Sequence, residues 1–116
     1  MRRWKAAWES LDPARVVALY ARDATHASDL VPRLYPEADG AELRGIEQIR
    51  HYVERALARF TALRFELVSI TESDGRSAVE YRRHSNVDGH DPAHVLELIQ
   101  WAGDRIVAVR VFHFGH

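Results

Sequence analysis

The stretch Ile46-Glu47-Gln48-Ile49-Arg50-His51-Tyr52-Val53-Glu54-Arg55-Ala56-Leu57-Ala58-Arg59-Phe60-Thr61-Ala62-Leu63-Arg64-Phe65-Glu66-Leu67 changes its period partway along. Up to Phe60, the apolar residues Ile46, Ile49, Val53, Leu57 and Phe60 recur three or four apart. That spacing places them on one face of a helix, with Glu47, Arg50, Glu54 and Arg55 on the other faces. From Leu63 onward, Leu63, Phe65 and Leu67 alternate with Arg64 and Glu66. Alternation is the period of a strand with one buried face.

Downstream of the switch the strand pattern continues. Asp74-Gly75 marks a turn, and residues 77–87 form a second strand with Val79 and Tyr81 set against Glu80 and Arg82. Asp88-Gly89 and Asp91-Pro92 mark another turn before a strand over 93–101, and Gly103-Asp104 turns into a fourth over 105–114. Short turns between successive strands predict antiparallel pairing. Upstream, Trp4 and Trp8 lie four apart on one helix face, and Leu11 continues their stripe. Asp12-Pro13 is a helix start, Asp as cap and Pro at the first helical position. The helix it opens carries Val16, Val17, Leu19 and Tyr20 and is expected to end near Asp23. Residues 24–44 hold Pro32, Pro36 and Gly40 without a sustained period and read as a long loop, with an extended piece at 24–28. Helices first and strands after predict an α+β fold.

The chain has 116 residues, 47% hydrophobic and 28% charged. These values suit one globular domain over 1–116 and not a disordered chain. Sixteen Lys and Arg against 17 Asp and Glu leave a net charge of −1. A nucleic-acid partner is not expected, since phosphate neutralisation needs a basic face. With no cysteine, disulfides, thiolate metal sites and cysteine nucleophiles are excluded. No apolar run approaches the roughly 20 residues of a membrane helix, and Met1-Arg2-Arg3-Trp4-Lys5 opens no secretory signal. A soluble cytoplasmic protein with no membrane contact is the expectation.

Four stretches carry a family resemblance: Trp8-Glu9-Ser10-Leu11-Asp12; Val17-Ala18-Leu19-Tyr20-Ala21-Arg22-Asp23-Ala24-Thr25; Leu43-Arg44-Gly45-Ile46-Glu47-Gln48-Ile49-Arg50-His51-Tyr52; and Ala102-Gly103-Asp104-Arg105-Ile106-Val107, followed by Arg110. In this order and at these spacings the chain resembles SnoaL-like and ketosteroid-isomerase-like members of the nuclear transport factor 2-like superfamily. The resemblance covers nearly the whole chain. It implies a cone-shaped, cystatin-like fold, in which a curved antiparallel sheet wraps around N-terminal helices and leaves an apolar pocket. It does not fix a function, because members include isomerases, epoxide hydrolases, cyclases, dehydratases and non-catalytic modules.

Ketosteroid isomerases use a carboxylate base with a tyrosine and a protonated aspartic acid as oxyanion donors. Matched to the family, Trp4 stands at the tyrosine, Ser28 at the base with Asp29 beside it, and Glu97 at the acid. An indole donates one hydrogen bond but accepts none, and serine is no base, so steroid isomerisation itself is not expected. The acid–arginine–acid site of limonene-epoxide-hydrolase-like members is not assembled either. Strand alternation turns Glu80 and Arg82 away from the side that holds Glu97, and the family alignment turns Arg110 outward.

The remaining catalytic candidates are Glu97, His113 and His26. Val95, Glu97, Ile99 and Trp101 share one largely apolar face, which places Glu97 inside. The family alignment turns Val107, Val109, Val111 and His113 inward too. A buried Glu beside a His forms an acid–base pair; the competing reading is a Glu that only hydrogen-bonds a neighbour and fixes core geometry. Trp4, Trp8, Tyr20, Tyr52 and Tyr81 are the candidate pocket walls, or else core filling. His90 and His94 straddle a turn, His51 lies on the exposed side of its helix, and His116 sits at the C-terminus. No metal and no cofactor is expected. Arg82, His84, Arg110 and Phe112 fall on the outer sheet face, the surface expected to form a homodimer. The expected function is binding of a small hydrophobic ligand, with proton-transfer chemistry if catalytic; the alternative is a non-catalytic binding or accessory module.

Overall fold

The computed structural model of the protein describes residues 1–87 and 92–114. Helix α1, Arg2–Glu9, buries Trp4, Ala7 and Trp8. The expected stripe stops there. Leu11 lies beyond the helix in the left-handed conformation (φ 60°), a conformation that strains a side chain with a Cβ, yet it still packs against the core. Asp12 then caps α2, Pro13–Val17, accepting a bond from the Ala14 N–H at 3.0 Å.

Helix α2 is shorter than its sequence pattern suggested. It ends at Val17, and strand β1, Tyr20–Ser28, begins two residues after Ala18. Tyr20 and Ala24 are both buried and four apart, a spacing that suits a helix and a strand alike. A register shift between Tyr20 and Thr25 blurs the alternation further. The expected loop over 24–44 therefore contains the end of β1, a short helix α3, Val31–Leu34, and a strand β2, Glu42–Arg44. Helix α4, Ile46–Ala58, follows, burying Ile49, Tyr52, Val53, Ala56 and Leu57.

Strands β3, Leu63–Ser73, β4, Arg76–Ser85, β5, Ala93–Ala102, and β6, Arg105–His113, follow the predicted order. The proposed turns at Asp88-Gly89 and Asp91-Pro92, with His90, lie outside the described residues, as does His116. The sheet has six strands rather than four, in the order β2-β1-β6-β5-β4-β3. All neighbours are antiparallel except β1 and β6, which run parallel. The sheet is curved and unclosed, with β2 and β3 at its edges. Its concave face packs on the helices through Val79, Tyr81, Val95, Ile99 and Val109. One bulge corrects the inward set on β6. The register shift between Gln100 and Trp101 turns Ile106 into the core and leaves Val107 half-buried.

Candidate functional site

A cavity of about 50 Å³ lies between the last turn of α4 and the concave face of the sheet. It has room for a few water molecules and is small beside the roughly 300 Å³ at which ligand pockets begin. Glu97 reaches it from β5, Tyr81 and Arg83 from β4, His113 from β6, and His26 and Ser28 from the end of β1. Helix α4 contributes Tyr52, and Trp8 closes one side from α1. The wall is mixed rather than apolar, because four strands that each bring a charged or imidazole side chain converge on it.

Glu97 is 5% exposed. Its register opposite Val79 and Val111 keeps its side chain on the concave face, as alternation predicted. Burial pushes its carboxyl up to about 7, while a hydrogen bond from the Tyr81 hydroxyl and the charge of Arg83 pull the other way. Burial likewise raises Tyr81 well above an ordinary phenol, with Glu97 adding to the effect. Tyr81 is held by stacking on Phe65 at 4.4 Å, and Trp4 meets it edge-on at 5.5 Å.

His26 forms a second buried group. Its Nδ1 and the Tyr20 hydroxyl share a hydrogen bond of 3.1 Å, and its ring lies 5.3 Å from that of Tyr52. Burial lowers its pKa to about 4, so the imidazole is neutral at pH 7. Burial raises Tyr52 to about 12, against a hydrogen bond with Ser28 that pulls it down.

His113 sits opposite Val95, one strand from Glu97 and two residues along. Its Nδ1–H donates to Asp29 Oδ1 at 2.6 Å. Both His113 and Glu97 line the cavity, but among the described residues Glu97 bonds to Tyr81 and not to His113. Asp29, beside Ser28, engages His113 and does not line the cavity. Two expected wall residues lie elsewhere. Trp4 packs behind Phe65 and Tyr81, and Tyr20 behind His26; neither lines this cavity, because each is the inner layer on which a wall residue rests. Arg59 and Arg83 line it without having been singled out. Parity could have found Arg83, which shares a face with Val79 and Tyr81. Among the described residues no group of three or more His, Asp and Glu is placed to hold a metal.

The SnoaL-like domain family matches residues 1–109. The chain belongs to this family. Its fold recurs in a SnoaL-like protein of unknown function from Burkholderia thailandensis, with a TM-score of 0.82 at 23% identity over 98% of this chain and 90% of that one. A Catenulispora acidiphila protein with a ketosteroid isomerase-like fold, solved with trimethylamine, gives 0.77 at 19% identity over 96% and 82%. A protein named as a candidate polyketide cyclase from Sinorhizobium meliloti gives 0.73 at 15% identity over 95% and 90%. At these identities the likeness shows the SnoaL-like fold alone. No curated protein sequence matches the chain. No helix among the described residues is long and apolar enough to cross a membrane.

Proposed function

We propose that this SnoaL-like chain binds a small molecule in the cavity under α4 and moves a proton on it, with Glu97 as acid or base. One observation carries the reading: Glu97 is a buried carboxyl on the cavity wall, its pKa raised to about 7 by desolvation, and it accepts a hydrogen bond from Tyr81. Acid–base catalysis works best when the group's pKa lies near the working pH. His113, steadied by Asp29, is the second proton carrier on the neighbouring strand. Neutral His26 and Tyr52 orient the ligand from the opposite wall. Isomerisation, cyclisation, dehydration and hydrolysis all need only such transfers. Steroid isomerisation is not proposed, since Ser28 stands where a base is required.

The small cavity favours a second reading, a binding or accessory module whose interior is core. Its outer sheet face suits a homodimer: Arg110 stacks 5.2 Å from the ring of Phe112, which is 39% exposed, and Leu96 and Leu98 share that face.

A thermal-shift screen with steroids, aromatic polyketides, terpenoid epoxides and fatty acids separates the two readings, because a ligand of the native state raises the melting temperature. Hits are then incubated in D₂O and followed by proton NMR. Glu97→Gln is expected to keep binding and to lose C–H exchange or turnover by at least 100-fold, the usual scale of a general acid–base group. Unchanged exchange in that variant sinks the catalytic role, and a screen without any hit supports the accessory module.

A further inference from the structure

We infer that the cavity takes an anion, a small carboxylate gripped by the guanidinium groups of Arg59 and Arg83. Arg59 closes the end of α4 and Arg83 stands on β4, and both guanidinium carbons lie over one ring, that of Phe60, at 4.7 and 5.6 Å from its centroid. Both side chains are half-buried and both line the cavity. Like charges brought together partly out of water repel one another: burial lowers the Arg59 pKa, and the charges of Arg83 and Arg33 lower it further. Several exposed arginines elsewhere in the fold meet a carboxylate, whereas Arg59 and Arg83 are half-buried on the cavity wall. Arg55 grips Glu37 with two bonds of 2.8 and 2.6 Å, Arg44 pairs with Glu42, and Arg50 with Glu47. Among the described residues no such ion pair is made by Arg33, Arg59 or Arg83.

A second observation points the same way. Arg83 Nε and Trp8 Nε1 are buried N–H groups of two residues that line the cavity, and among the described residues neither has an acceptor. Trp8 is 9% exposed. A buried donor left unpaired costs free energy that a bound acceptor recovers. A carboxylate supplies two coplanar acceptor oxygens and one negative charge, which match a guanidinium fork in shape and sign. Arg59 is anchored for this task, its Nε donating to the Ala56 carbonyl at 3.1 Å. The mixed wall beyond, with Phe60, Leu63 and Phe65, suits a short apolar body attached to that head. This inference rests on the cavity being a ligand site, as proposed above, but not on Glu97 moving a proton.

Calorimetric titration of the full chain with formate, acetate and acetamide, in a buffer free of other carboxylates, tests it. Acetate is expected to bind at least tenfold more tightly than its neutral isostere acetamide. Arg83→Gln and Arg59→Gln should each weaken acetate at least tenfold and leave acetamide unchanged. The exposed Arg2→Gln should alter neither. Arg83→Lys guards against a folding defect: it keeps the charge but loses the fork, so an intermediate affinity is expected. Acetamide binding as tightly as acetate, or acetate affinity indifferent to both cavity arginines, overturns the anion assignment alone. Failure of all three probes at millimolar concentration overturns the ligand site itself, and the function proposed for it.

Discussion

Among the described residues the hydroxyl of Tyr81 is the one donor on the Glu97 carboxyl, and it acts against burial: desolvation raises the acid toward neutrality, and the bond from Tyr81 favours the charged form. Tyr81→Phe removes that bond and leaves the ring stacked on Phe65. The Glu97 titration, followed by carbon NMR of its carboxyl, should then move upward from about 7. The variant should also lose about 1–3 kcal/mol of stability in urea unfolding, the cost of a buried polar group stripped of its partner. A midpoint that falls or stays fixed would show that burial alone sets the acid. Residues of this kind were legible where a strand's alternation was regular. Glu97 and Tyr81 followed from parity, because a strand fixes the face of every second side chain, and the inward placing of His113 came from the family alignment. Arg59 did not, because it stands at the end of a helix, where a side chain's direction depends on what packs against it. Asp29 did not either: it lies one residue past β1, where alternation no longer constrains it, and its carboxylate reaches His113 from outside the strand.

At the scale of the element, the hairpin of β3 and β4 depends on Gly75. Its φ is +69°, and an added Cβ would stand 3.3 Å from the carbonyl oxygen of Trp101 on the neighbouring strand. That carbonyl cannot withdraw cheaply, since the Trp101 N–H donates to the Gly75 carbonyl at 2.8 Å. Left-handed backbone costs a side chain about 1–2 kcal/mol, so Gly75→Ala should destabilise by at least about 1 kcal/mol in a urea melt. A neutral substitution would mean that the hairpin tolerates another turn. The same Asp74-Gly75 dipeptide announced the turn in the sequence, and Gly103 the next. β1 carried no such mark. Its Tyr20 and Ala24 satisfy a helical spacing, Ala21, Arg22 and Asp23 break the alternation, and its partner β6 lies more than 80 residues away in the chain. Pairing with a distant parallel strand leaves no local signal, which is why four strands were readable and six exist.

Across the whole molecule, two buried groups set opposite dependences on pH. Glu97 titrates near 7 in the fold and near 4.5 as a free side chain. Its contribution to stability is complete below 4.5 and is lost as pH rises through 7. His26 titrates near 4 in the fold and near 6.5 free, so its contribution is present above 6.5 and is lost as pH falls through 4. Each difference is worth about 3 kcal/mol. Between pH 4.5 and 6.5 the native chain holds a proton on Glu97 that the unfolded chain has released, and lacks one on His26 that the unfolded chain has gained. The proton counts nearly cancel, so these two groups together leave stability almost flat across that window. Removing either should unmask the other. Glu97→Gln should grow more stable by about 2–3 kcal/mol from pH 4.5 to 6.5, and His26→Gln should lose a similar amount over the same interval. Urea unfolding of the two variants and the parent chain at pH 4.5, 5.5 and 6.5 measures both slopes. Variants that keep the parent's slope would mean that Glu97 and His26 titrate normally in the fold, and the neutral carboxyl on which the proposed proton transfer depends would be lost with them.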